Sequence, residues 1–461
     1  MDNYDKTSIP SLEDCLKAAD ETKELLINRG CYEEIPALLK RLYQFGGAYL
    51  VSDENTRKAA GGRVREILEG AGIPVWGELC FPAEPRLHAE YFNITAIREK
   101  LSALPNPAEA VPIAIGGGTV NDLVKRAASE LKRSYLCVPT ASSVDGYTAY
   151  GAAILYDGYK QTMSCPAPLA LAAEPEVLAR APAYLSSSGF GDLASKIIAG
   201  CDWIIGDLAG PLGAPVAESI DTKVWNMTQP GLLDYLERSI DAARGDRDAV
   251  IALFEALAIT GFSMQAFKSS RPVSGSEHLF SHVWEMDDLS IDGVPVTHGH
   301  KVTIGTLAAT AYYEIFFADP SGPPSPPAAY VRPSPSQRMV EVSSAFTGSR
   351  GHDLVVKTAL EKYMDEAAVQ RIKEAVTDNY RELRDRVLTR LLPYGKLREM
   401  LGRALCPLRP ETIGLSRTEA IATARRAQMI RNKYCLLDLS WDLGVMETVL
   451  SRMEESAEYL R

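Results

Sequence analysis

The feature that most restricts how this chain can fold is an alternation near its beginning. "GAYLVSD" (47–53) precedes the helix-type stretch "ENTRKAAGGRVREILEGAG", "VPIAI" (111–115) precedes "TVNDLVKRAASELK", and "YLCVPT" (135–140) closes the series. Strand-like apolar runs separated by helix-length segments build βαβ units, and such units build a parallel sheet. From about Pro182 the period becomes that of long helices, as in "DAVIALFEALAITGFSMQAF" (248–267) and "TEAIATARRAQMIRNKYCLLDL" (418–439). A chain of 461 residues exceeds the size at which one core keeps growing, so two domains are expected. They are an α/β Rossmann-like parallel-sheet domain over 1–181 and an all-α domain over 182–461.

Two stretches interrupt the helical part. "ADPSGPPSPPAAYVRPSPSQ" (318–337) holds too many prolines for a helix interior and reads as an exposed loop, and "GDLAGPLGAPVAESID" (206–221) is a milder version. No internal repeat is seen. The net charge of −11 leaves no basic stripe for nucleic acid. No run of roughly 18 apolar residues suggests a bilayer span, and the acidic opening "MDNYDKTSIPSLEDCLKAAD" does not read as a signal or transit peptide. A cytoplasmic protein with no membrane or nucleic-acid partner is expected. The eight cysteines contain no CxxC pair, which argues for reduced, buried thiols rather than a disulfide framework or zinc knuckle.

"IAIGGGTVNDLV" (113–124) places three glycines between a strand and a helix. A helix N-terminus at a Gly-rich turn offers backbone N–H groups and a favourable dipole to an anion, so a pyrophosphate fits over Gly116, Gly117 and Gly118, with Thr119 as a cap or hydroxyl donor. Asp53, at the end of an earlier strand, stands where doubly wound sheets hold a ribose, and its charge favours NAD over NADP. The same Asp also suits a helix N-cap.

Four of the six histidines fall within 23 residues: His278, His282, His298 and His300. His278 and His282, four apart, share one helix face, a spacing that suits a metal. A catalytic cation needs a third protein ligand, for which Glu277 and Asp192 are candidates. Asp192, in "SSGFGDLASK", also reads as an N-cap at a helix start, with Lys196 one turn further on.

Taken in order, "GGGTVND", "PTASSVDGYTAYGAA", "GFGDLASK", "SRPVSGSEHLFSH" and "THGHKV" resemble the sn-glycerol-1-phosphate dehydrogenase family, including its AraM-type bacterial members. That family lies within the iron-dependent alcohol dehydrogenase and dehydroquinate synthase-like superfamily. The resemblance covers most of the chain. It implies a dehydroquinate synthase-like fold, with an NAD(P) pyrophosphate over Gly116, Gly117, Gly118, Thr119 and Val120, and further cofactor contacts at Thr140, Ala141, Ser142 and Ser143. It implies a metal on Asp192, His278 and His298, and substrate contacts or catalysis by Asp145, Asp192 and His282, leaving His300 outside the ligand set. At Ala149 the family usually has Ser, so one hydroxyl contact to the cofactor is missing.

The implied reaction reduces dihydroxyacetone phosphate with NADH or NADPH to sn-glycerol 1-phosphate. A carboxylate and two imidazoles suit zinc, nickel or iron(II), and the resemblance favours zinc or nickel, in a homodimer. Lys268, Arg271 and Lys196 are candidates for the substrate phosphate, Arg271 leading because a guanidinium binds phosphate in a bidentate fork. The rival readings are a dehydroquinate synthase-like cyclase, a polyol dehydrogenase of glycerol type and a catalytically silent nucleotide sensor.

Overall fold

The computed structural model describes residues 9–349 and 351–461. Its strands begin with β1 (Glu24–Leu26), β2 (Gly47–Asp53), β3 (Val75–Phe81), β4 (Ala110–Gly116) and β5 (Leu136–Pro139). A two-stranded sheet of β6 (Ala152–Tyr156) and β7 (Tyr159–Met163) follows, then β8 (Ala170–Ala172). Six of these form one sheet in the order β1-β8-β5-β4-β2-β3, every pair parallel. All seven residues of β4 are buried, as they must be in a parallel sheet covered on both faces, which is why the run reads as continuously apolar. Leu50, Ile113, Leu136 and Val138 from the sheet pack with Leu39, Val64 and Leu68 from the covering helices.

The strand order carries the functional geometry. From β2 the chain places β3 on one side and then crosses to place β4 on the other. Ligands of open α/β sheets bind outside the carboxyl ends of the strands at such a reversal. Asp53 ends β2 and Gly116 ends β4.

Internal packing divides the chain into two compact units, neither of them one continuous stretch. Among the described residues, the first comprises 9–156, Lys160–Leu193 and Asn226–Ser270, and the second Asp157–Tyr159, Ala194–Trp225, 271–349 and 351–461. The first holds the sheet and the 21-residue helix Arg247–Phe267. Contrary to the expectation from sequence, that helix is long and apolar enough to cross a membrane, but 78% of its apolar window is buried inside the protein. It is a core helix, apolar over most of its surface because most of that surface is covered, with Asp248, Ile251 and Glu255 on its less buried side.

Apart from the short strands Ser290–Ile291 and Val294–Pro295, the described residues from Arg271 onward are helices and loops. The helices Ser276–Met286 and His298–Phe316 pack with their backbones unusually close. A Cβ at Gly305 would collide with the Glu277 carbonyl oxygen and stand 3.2 Å from the Phe280 Cβ, so glycine sets this approach. Thr297 caps the second of these helices, its hydroxyl accepting from the His300 N–H at 3.3 Å.

Three sequence expectations need correction. Asp192 is no N-cap: it lies near the end of the helix Ala183–Ala194, which runs through the glycines expected to start one. The proline-rich loop ends at Ser334, whose side chain caps the helix Pro335–Ala345, since a proline in the first turn of a helix forfeits no hydrogen bond. Residues 206–209 belong to the helix Lys196–Ala209. All eight cysteines are unpaired, seven buried and Cys80 half-buried.

Candidate functional site

In the first unit the three glycines do different things. A Cβ on Gly116 would stand 2.8 Å from the Val120 side chain, and one on Gly118 would stand 2.6 Å from Val144 Cγ2, so the protein's own packing excludes side chains at both. At Gly117 a Cβ would meet nothing within 4 Å. Gly117 is also the N-cap of the 13-residue helix Gly118–Glu130 and supplies no side-chain cap. The middle glycine therefore leaves open space beside uncapped N–H groups, which suits a pyrophosphate. Thr119 lies in the first turn and not at the cap.

Asp53 is an N-cap: its Oδ1 accepts from the Thr56 N–H at 2.8 Å, and the Asp53 N–H donates to the Thr56 hydroxyl at 3.0 Å. The Thr140 N–H donates to the Gly116 carbonyl at 3.2 Å, joining the ends of two neighbouring strands. Ala141 and Ala149 are buried, the Ser142 hydroxyl donates to the Val250 carbonyl at 3.4 Å, and the Ser143 hydroxyl pairs with Tyr147 at 3.1 Å. The loop that follows is fastened by the fully buried Lys125, which donates to the carbonyls of Gly146 (2.8 Å), Ala149 (2.9 Å) and Gly151 (3.0 Å). Asp145 in that loop donates its backbone N–H to Asp192 Oδ2 at 2.9 Å, orienting a carboxylate that is itself fully buried.

In the second unit the helix Ser276–Met286 carries His278 and His282, and His298 is the first residue of the neighbouring helix. The ring centroids are 5.4 Å apart for His278 and His298, 6.1 Å for His278 and His282, and 6.2 Å for His282 and His298. Each Nδ1 faces a carboxylate. Glu277 Oε1 is 2.7 Å from His278 Nδ1, Glu285 Oε1 is 2.8 Å from His298 Nδ1, and Glu285 Oε2 is 3.4 Å from His282 Nδ1. A carboxylate behind Nδ1 directs coordination to Nε2, the usual second layer of a metal centre. Glu277, a candidate ligand from spacing, takes this supporting position behind His278. Burial pushes His282 well below the usual imidazole value, opposed by Glu285 and reinforced by Arg431. Burial also lowers His300 to about 4.

The candidate phosphate cations separate. Lys268 is exposed and forms ion pairs with Asp20 (2.6 Å) and Glu21 (2.8 Å). Lys196 is buried, with Nζ 3.5 Å from the Ser195 hydroxyl. Arg271 is buried and donates to the Asp202 carbonyl. Lys433, which the sequence reading did not single out, is buried and pushed down to about 7, first by burial and then by the charges of Arg431 and Arg271, with Glu277 opposing. Glu285 was also missed. Its signal was present, since it lies three residues after His282 on the same helix face.

Residues 26–182 match the family described as iron-containing alcohol dehydrogenase. The chain is 31% identical to a Halalkalibacterium halodurans protein named glycerol-1-phosphate dehydrogenase (NAD(P)+), over 64% of this chain and 71% of that one. It is 36% identical to the Bacillus licheniformis protein of the same name, over 61% and 67%, and 26% identical to the Geobacillus stearothermophilus one, over 90% and 91%. In fold it is similar to glycerol dehydrogenase from Schizosaccharomyces pombe, with TM-score 0.57, 16% identity and coverage of 95% and 93%. It is likewise similar to an iron-containing alcohol dehydrogenase from Thermococcus thioreducens, with TM-score 0.53, 13% identity and coverage of 94% and 98%. At 31% and 36% identity over two thirds or more of those two relatives, the chain belongs to the glycerol-1-phosphate dehydrogenase family and is an NAD(P)-dependent oxidoreductase.

Proposed function

We propose that the protein reduces dihydroxyacetone phosphate to sn-glycerol 1-phosphate with NADH or NADPH and one divalent cation. The observation that carries this reading is the histidine trio, whose Nδ1 atoms all face carboxylates, at 2.7, 2.8 and 3.4 Å. Asp192, His278 and His298 would hold the cation: a carboxylate and two imidazoles match zinc or nickel, with iron(II) also suited. The Gly116–Val120 turn would hold the pyrophosphate, Asp53 the ribose, and Thr140, Ala141, Ser142, Ser143 and Ala149 would line the dinucleotide. When bound, the nicotinamide supplies the hydride and the cation supplies Lewis acidity toward the carbonyl.

The chain's own residues do the rest. Asp145 keeps the Asp192 carboxylate oriented through its backbone N–H, and its side chain is the proposed substrate contact. His282, with Nδ1–H toward Glu285, would take up a solvent proton at Nε2 and release that same proton to the product oxygen, returning to its neutral form. Arg271 and Lys433, with Arg431 close enough to depress the Lys433 ammonium, form a crowd of like charges that an anionic phosphate would relieve.

The test is absorbance of NADH and NADPH with metal-loaded protein and dihydroxyacetone phosphate, followed by enantiomer analysis of the product. Oxidation of the cofactor with formation of the sn-1 product is expected. Turnover with glycerol but none with the phosphorylated ketone would replace this reading with a polyol dehydrogenase. General acid catalysis typically contributes about 10²–10⁴-fold, so Asp192→Ala should cost more activity than His282→Ala.

A further inference from the structure

We propose that Glu285 is a shared positioning residue that sets the ring tautomers of His298 and His282 together and turns both Nε2 atoms toward one site. The proposal rests on the metal-site reading above. One carboxylate serves two rings here: Oε1 lies 2.8 Å from His298 Nδ1 and Oε2 lies 3.4 Å from His282 Nδ1. An ionised carboxylate accepts hydrogen bonds and donates none, so each neutral ring must keep its proton on Nδ1. The two rings are held near parallel, at 28° between planes.

The sequence explains why such a device is needed. His298 is the first residue of its helix, with no preceding turn against which its ring can pack. The neighbouring helix supplies the missing constraint through Glu285, one turn beyond His282. Lys301, nearly one turn beyond His298, brings its ammonium to 3.5 Å from the same Oε1 and steadies that oxygen electrostatically. Glu277 performs the simpler task of backing one ring, His278, at 2.7 Å. Glu285 thus joins a proposed cation ligand to the proposed proton carrier, so a displacement of this one side chain disturbs both.

The test uses the full chain as wild type, Glu285→Gln, Glu285→Ala and Glu277→Gln. Zinc affinity is measured by chelator competition, and histidine tautomers by ¹⁵N NMR of the metal-free chain at neutral pH. Glu285→Ala should weaken zinc binding about 10- to 100-fold, the usual effect of removing such a partner. A glutamine keeps one acceptor and turns the other atom into a donor. In Glu285→Gln, His298, with the shorter contact, should keep its Nδ1–H signal while His282 moves its proton to Nε2. Glu277→Gln should leave both of these signals in place. Zinc binding in Glu285→Ala equal to wild type, or both tautomers unchanged in Glu285→Gln, overturns the proposal. If wild type binds no zinc, the metal-site reading fails, while the tautomer measurement on the metal-free chain still decides the role of Glu285. Glu285→Gln is close in shape to the native residue and carries both readouts should the alanine variant not fold.

Discussion

Replacing Gly305 with Ala separates stability from function in a way the structure allows to be worked out. The added methyl would fall inside contact distance of the Glu277 carbonyl oxygen, with the Phe280 Cβ at 3.2 Å. Neither neighbour is the flexible end of a side chain, so the helices Ser276–Met286 and His298–Phe316 must part, by about 1 Å, to restore an ordinary contact. Overpacking of this kind costs about 1–3 kcal/mol, and exchanging Gly for Ala within a helix returns about 1 kcal/mol. The net loss should be about 0–2 kcal/mol, visible as a melting point lowered by a few degrees at most. The site should suffer far more. His278 directly follows Glu277, and His298 begins the helix that is pushed away. A misplacement of about 1 Å at a reacting centre can cost about 10²-fold in rate. Circular dichroism melts, zinc affinity and kcat/KM for the same preparation test this. A variant that keeps both melting point and kcat/KM within twofold of wild type would refute the claim that Gly305 sets the spacing of the histidine helices, and so would one that loses both by unfolding.

Three further outcomes are expected. Asp53→Asn keeps an N-cap side chain that can accept from Thr56 while removing the charge; the melting point should hold and kcat/KM should shift toward NADPH, and an unchanged NADH to NADPH ratio would remove Asp53 from the ribose site. Lys125→Met leaves three carbonyls without their ammonium and should destabilise by about 3 kcal/mol; an unchanged urea midpoint would show that the 146–151 loop is held by other means. Burial and then Asp438 push the buried Asp442 carboxyl up to about 7, against the opposing charge of Arg332. An acid raised above its unfolded value of about 3.9 favours the folded state while protonated, so its contribution is full below about pH 4 and fades as pH climbs through 7. Asp442→Asn should abolish that part of the decline, up to about 1.4 kcal/mol per pH unit, and identical stability slopes for both proteins between pH 5 and 7 would refute it.

How much of this was readable from residues alone depended on whether the signal was local. β2, β4 and β5 were legible because a strand buried on both faces is apolar at consecutive positions, as in "VPIAI". The hairpin of β6 and β7 was passed over although Asp157 and Gly158 both have positive φ, and an Asp-Gly pair between apolar runs is a strong hairpin signal. Asp192 was assigned to a helix start because glycines precede it; its burial and its bond to Asp145 come from residues 47 positions away, which no window detects. The glycine turn was found, but which of its three glycines faces open space was set by Val120 and Val144, a matter of packing. Arg271 was favoured for its chemistry, yet Lys433 and Arg431 reach the same neighbourhood from more than 150 residues further along. The role of Glu285 appears only once His298, 13 residues away on the neighbouring helix, is placed beside it.

The state of the cysteines has a practical consequence. Burial raises Cys15, Cys31 and Cys165 to about 12 and moves Cys137, Cys201 and Cys435 upward as well. Alkylating reagents and peroxide attack the thiolate, and only where they can reach it. Of the eight sulfhydryls, Cys80 alone is not buried. Mass spectrometry after a brief maleimide pulse should therefore report conformation directly, with native molecules gaining at most one adduct and opened ones gaining eight.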